Sequence, residues 1–177
     1  MTITAEAREE VRRRAAFACE FCGVSEAGTG GQLTVDHFQP TSKGGDDSLP
    51  NLLYCCTRCN QYKLDYWPAK PDDLPLWNPR LESASKHFLE LDDGVIYPLT
   101  PTGTFTLKRL RLNRPPLIAY RLRRRQQAEE TRLLSRYRDL VLLLEQLHTQ
   151  LSALLEEQGR LLETQRELLR LLLHREE

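Results

Sequence analysis

Two Cys-x-x-Cys pairs, Cys19/Cys22 and Cys56/Cys59, constrain this chain more than any other feature. About 33 residues separate them. Four thiolates at such spacing are what a structural zinc site needs. Each pair makes a tight knuckle, and one tetrahedral ion ties two distant segments together. A single pair would serve equally well as a redox motif; two pairs favour zinc. Cys55 breaks the knuckle spacing and reads as a small buried apolar residue. Asp36-His37 and Asn51 lie between the pairs, and Asn60 directly follows the last cysteine.

With 177 residues there is room for one ordinary domain and an appendage. Hydrophobic residues make up 40% and charged residues 28%, a balance compatible with a soluble fold. No long uncharged apolar run is present, so neither a membrane span nor membrane association is expected. Met1 to Arg14 alternates acidic and basic residues without an apolar stretch, unlike a secretory signal. Zinc ligation needs reduced thiols, which makes the cytoplasm the expected location. The formal net charge of zero conceals a segregation. A belt from Lys108 to Arg138 is strongly basic, whereas the segment from Asp139 onward is rich in glutamate. Such segregation guides the choice of partner better than the sum does.

The pattern predicts a helix over 5–18, with Val11, Ala15 and Ala18 on one face. The β-branched run from Leu33 to Val35 predicts a strand that delivers Asp36 and His37 to its end. Residues 40–50 read as a loop, 52–55 as a second strand, and 57 or 58 to about 66 as a short helix carrying Asn60 and Lys63. Residues 67–114 are rich in prolines and turn formers, with hairpins expected at Asp92-Asp93-Gly94 and at Thr102-Gly103. Pro115-Pro116 suits a first helical turn. Beyond it Leu133, Leu140, Leu147, Leu154, Leu161 and Leu168 fall seven residues apart, with Tyr137, Leu144, Leu151, Gln158, Gln165 and Leu172 at the complementary positions. This is a coiled-coil signal, and an uninterrupted helix here would be on the order of 80–90 Å long. Flanking leucines widen the stripe beyond a two-stranded seam, while Gly159 would weaken the helix. The expected segments are 1–68, 69–114 and 115–177.

Val35-Asp36-His37-Phe38-Gln39-Pro40, Gly44-Gly45, Asn51-Leu52-Leu53 and Cys56-x-x-Cys59-Asn60-x-x-Lys63 closely resemble the zinc-knuckle branch of the HNH endonucleases. The resemblance covers roughly residues 17–65. Trp77-Asn78-Pro79-Arg80, His87-Phe88, Leu99 to Gly103 and Leu112 to Pro115 look like the tail that follows this motif in a group of bacterial HNH proteins; that likeness carries no chemistry. The family resemblance implies a small zinc-stabilised ββα-metal domain; with the accessory hairpin region and the long coiled-coil-like C-terminal helix read from the pattern above, the expected fold class is α+β. It also implies that Asp36 and Asn60 hold one Mg²⁺ or Mn²⁺ that contacts the scissile phosphate and the leaving 3′ oxygen. By the same analogy Asn51 pins the loop and orients His37. Asn60 stands where the family name has histidine, a substitution that occurs within the family and keeps an oxygen ligand.

Phosphodiester hydrolysis needs an activated water and charge stabilisation at the phosphate. Neutral imidazole takes a proton near pH 7, so His37 is the expected general base. Asp36 falls on the other side of the strand. The expected nucleic-acid contacts are Lys63, Arg58, Arg109, Arg111, Arg114, Arg121 and Arg124, although a basic belt is also what a solvated helix face looks like. His87 is expected to pack beside Phe88, and His148 and His174 to be solvated on the long helix. The expected function is a metal-dependent DNA endonuclease that self-associates through its C-terminal helix. Its rivals are an inactive zinc-containing nucleic-acid-binding module and an adaptor working through the coiled coil.

Overall fold

A computed structural model describes residues 3–173. Helix α1 (Ala5–Arg14) begins where Thr4 caps it, the Oγ1 accepting from Ala7 N at 3.2 Å, and closes with three arginines against the helix dipole. It buries Val11 completely. The helix stops earlier than its apolar pattern predicts, because Ala16 and Phe17 take φ of 50° and 59° and turn the chain towards Cys19. After a short helix α2 (Glu26–Thr29), strands β1 (Thr34–His37) and β2 (Leu52–Cys55) pair antiparallel. Asp36 stands opposite Leu53 and His37 opposite Leu52. All four residues of β2 are buried. Helix α3 (Thr57–Lys63) follows at once, with Cys56 as its N-cap.

The accessory region holds α4 (Ala84–His87), then β3 (Phe88–Glu90) and β4 (Ile96–Pro98) in the hairpin expected at Asp92-Asp93-Gly94. Gly94 supplies the turn with φ of 78°. The second expected hairpin does not exist: Thr102 and Gly103 lie in α5 (Pro101–Arg109). Thr100 caps that helix by accepting from Gly103 N at 3.0 Å, and Pro101 fits the first turn. Gly103 serves close approach rather than a turn. A Cβ there would lie 2.4 Å from the His87 carbonyl oxygen.

Helix α6 (Pro115–Leu173) completes the element order. The chain divides into two compact units, one through Arg125 and one from Gln126 onward. The first has a mixed core in which Phe21, Leu53, Trp77, Leu110, Leu112 and Leu117 surround the four knuckle cysteines. Arg121 belongs to this interior. Only 2% exposed, it donates to the carbonyls of Gly94, at 2.8 Å, and of Leu112. The second unit is helical, and its leucines at 133, 140, 147, 154, 161 and 168 are all exposed, at 52–58%. His174 lies outside the described residues. Among those residues no helix is long and apolar enough to cross a membrane.

Candidate active site and metal centre

The first knuckle closes through Gly23, whose N–H donates to Cys19 O at 2.8 Å and whose φ of 74° permits the reversal. In the second, the Cys56 thiol caps α3 and accepts from Cys59 N at 3.4 Å. The four sulfurs all lie within 4.8 Å of one another, and those of Cys22 and Cys56 are 3.7 Å apart. A tetrahedral zinc with Zn–S bonds of about 2.3 Å places its sulfurs about 3.8 Å apart. All four residues are buried. Contact with Cys19, then burial, pushes the Cys22 and Cys59 thiols up, while the neighbouring thiols hold Cys19 down. Four such groups ionise together only around a cation. The cluster can hold a structural zinc. Cys55 is buried outside it, with its thiol on Cys56 O at 3.5 Å.

Strand alternation sends Asp36 and His37 to opposite faces of β1. The His37 Nε2 lies 2.7 Å from Asp47 Oδ1, and both side chains retain access to solvent. Asp47 was not singled out by the sequence reading. The available signal was a carboxylate in a loop whose far end, Asn51, must return beside β1. Asn51 closes that loop: its Oδ1 accepts from Gln39 N at 2.8 Å, and its Nδ2 donates to Gln39 O at 3.1 Å and Asp46 O at 2.8 Å. The Asn51 carbonyl also accepts from Phe38 N at 2.7 Å, directly after the histidine.

On the other face, Lys63 Nζ lies 3.0 Å from Asp36 Oδ2, with the lysine side chain 1% exposed. The approach has ion-pair distance without hydrogen-bond alignment, so Oδ2 is buried and accepts no hydrogen bond among the described residues. Asn60 is half-buried one turn before Lys63 on α3, and its side-chain amide has no hydrogen-bond partner among the described residues.

The expected phosphate contacts separate into interior and surface groups. Lys63 and Arg121 are interior, so neither can meet a phosphate in this conformation. Each neutralises or ties down groups of the fold instead. Arg109 donates to Lys63 O at 3.1 Å and lies 4.4 Å over the Tyr66 ring. Arg114 donates to Leu110 O at 3.1 Å and points its other nitrogen at the sulfurs of Cys59 and Cys56, 3.9 and 4.0 Å away. Arg124 is exposed but paired with Glu90 at 3.0 Å. Arg58 and Arg111 are exposed, the latter 4.9 Å over the Tyr62 ring. His87 is buried with both nitrogens engaged, by Thr100 Oγ1 at 2.7 Å and Glu82 Oε2 at 2.8 Å. It is a structural residue beside Phe88, with ring centroids 6.2 Å apart.

These features define a small α+β unit with a zinc-compatible Cys₄ cluster and a histidine–carboxylate pair at the end of β1. Residues 19–65 match the family model described as HNH endonuclease. That match, confined to this segment, points to a nuclease-type domain. No curated protein and no solved structure matches the chain.

Proposed function

We propose that the chain is a metal-dependent DNA endonuclease in which His37 is the general base. The observation that carries this reading is the His37–Asp47 pair on one face of β1 with Asp36 and the Asn60-bearing turn of α3 on the other. A carboxylate at Nε2 must accept from an N–H there, which leaves the lone pair on Nδ1 to take a proton from water. Asp47 then stabilises the imidazolium that results, and Asn51 holds the loop that carries Asp47. Asp36 Oδ2, which accepts no hydrogen bond among the described residues, and the amide oxygen of Asn60 are hard donors that suit Mg²⁺ or Mn²⁺. Bound there, the ion would supply positive charge at the scissile phosphate and the leaving 3′ oxygen.

One observation favours a second reading. The Lys63 ammonium already neutralises Asp36, as in a binding module that has no use for a second metal. Cleavage of supercoiled plasmid separates the two. Nicked or linear product requiring Mg²⁺ is expected, with the rate falling about 10²–10⁴-fold in His37→Ala. Intact DNA binding without cutting under any divalent ion establishes the binding module instead.

The second unit, on this proposal, is a self-association element. Its heptad leucines are exposed, and a helix of this kind gains most of its stability by covering an apolar face. Sedimentation of the full chain at micromolar concentration is expected to show a dimer or a larger oligomer; a strict monomer refutes the assignment. Five free cysteines suit a reducing compartment, and we place the protein in the cytoplasm on that ground.

A further inference from the structure

One groove of the first unit lies apart from His37. It encloses about 680 Å³ and is lined by Leu33, the Cys56–Arg58 turn, Tyr62, Arg114, Tyr120 and Arg123, together with the Gly28–Gln32 loop. Three arginines and two tyrosines contribute to it, and no carboxylate does. Arg58 and Arg123 are exposed, and neither forms an ion pair among the described residues. Arg114 is turned to the sulfurs of Cys59 and Cys56, so the positive charge open to a ligand is that of Arg58 and Arg123.

The groove is also built to stay open. Tyr120 is fixed by its hydroxyl, which accepts from Ser25 N and donates to Gly23 O, both at 3.2 Å. Gly28 makes room for the ring, since a Cβ there would lie 2.8 Å from Tyr120 Cε2. The guanidinium groups of Arg111 and Arg114 lie 4.9 and 5.7 Å from the Tyr62 ring centroid. The volume is that of a small-molecule pocket, too small to enclose a duplex. Positive charge that follows a backbone, with fixed aromatic rings at its side, is the chemistry that takes up single strands.

None of Asp36, His37, Asn51 or Asn60 lines the groove. It meets β1 at Leu33, just before the strand, and α3 at Thr57, Arg58 and Tyr62, whereas His37 ends β1 and Asn60 lies between Arg58 and Tyr62 on α3. Four residues of strand correspond to about 13 Å. We propose that the groove is a subsite for a short unpaired stretch of nucleic-acid strand flanking the position of cleavage, with its phosphates on Arg58 and Arg123 and its bases against the tyrosines. The proposal rests on the nuclease reading above.

The test uses the full chain and the double variant Arg58→Ala/Arg123→Ala, which keeps every cysteine and the His37 site; because Arg58 lies within the Cys56–Cys59 knuckle, metal analysis should show zinc unchanged from the wild type. Fluorescence anisotropy would follow a labelled single strand of about twelve nucleotides, and the matching duplex, in buffer free of divalent ions. The variant is expected to weaken single-strand binding about tenfold or more, and to reduce its salt slope by about 1.4 for two lost phosphate contacts. Duplex affinity should change less than about threefold, and the circular dichroism spectrum should be unchanged. Unchanged single-strand affinity overturns the subsite, as does an equal loss on both ligands, which would mean general surface attraction. If the wild type cuts plasmid while the variant binds the single strand normally, only the subsite falls. If the wild type neither cuts nor binds DNA, both proposals fall.

Discussion

Cys59→Ser is expected to abolish cooperative folding of the unit that ends at Arg125. Cys59 is fully buried at the centre of the core, and the surrounding elements are short: two strands of four residues in one sheet and two of three in the other. Two-stranded ribbons of that length are marginal by themselves. Structural zinc binding contributes about 10–16 kcal/mol in small zinc peptides, as much as the whole stability of an ordinary domain at about 5–15 kcal/mol. Loss of one of four thiolates should therefore remove the near-ultraviolet signal of Trp77 and its neighbours, and metal analysis should show zinc falling from one ion per chain towards none. Cys55→Ser is the control. That thiol is equally buried but outside the cluster, and replacing it should cost only about 1–3 kcal/mol, with zinc retained. A Cys59→Ser protein that unfolds cooperatively at the wild-type midpoint would show that the cluster is not a metal centre.

The second large effect concerns the pair beneath the strand. Asp36→Asn leaves the Lys63 ammonium buried without its counter-charge, and removal of one partner of a buried pair costs about 3–5 kcal/mol. Lys63→Met leaves a carboxylate whose side chain is 18% exposed and can draw on water, so a smaller cost of about 1–2 kcal/mol is expected. Urea unfolding of both variants should preserve that order. The double variant should be more stable than Asp36→Asn alone, because it removes the stranded charge. Equal losses, or an additive double variant, would mean that the pair is not coupled. Mn²⁺ titration adds an independent reading: Lys63→Met should bind the ion more tightly, since Asp36 then has no competing cation, whereas Asp36→Asn should bind it more weakly.

Local chemistry was most legible where residues act on their immediate neighbours. Cysteine spacing, the β-branched approach to Asp36 and the double proline at 115 all found their expected elements, as did the Asp-Asp-Gly turn. The Thr102-Gly103 hairpin failed because Thr100 and Pro101 make a strong helix start, and because Gly103 answers a steric demand from His87, distant in sequence. Arg121 and Lys63 could not be recognised as interior from residue type, which places both at the surface by default. Their burial depends on carbonyls and a carboxylate that arrive only with the tertiary fold. The same holds for Asp47, whose meeting with His37 requires the intervening loop to close. Parts of the predicted arginine belt proved to be fastenings of the fold for a related reason: guanidinium groups satisfy orphaned carbonyls as readily as they meet phosphates.

The loop that Asn51 fastens has a thermodynamic corollary. Three side-chain hydrogen bonds hold it, and Gly45 presses so closely on Gln39 that a Cβ would fall 1.8 Å from the Gln39 carbonyl oxygen. The disorder of a 14-residue excursion between the strands is thus surrendered when the chain folds, long before a ligand arrives. An encounter with a polymer then meets a histidine already at its station. The interaction energy of that encounter goes into gripping the polymer rather than into arresting a wandering segment.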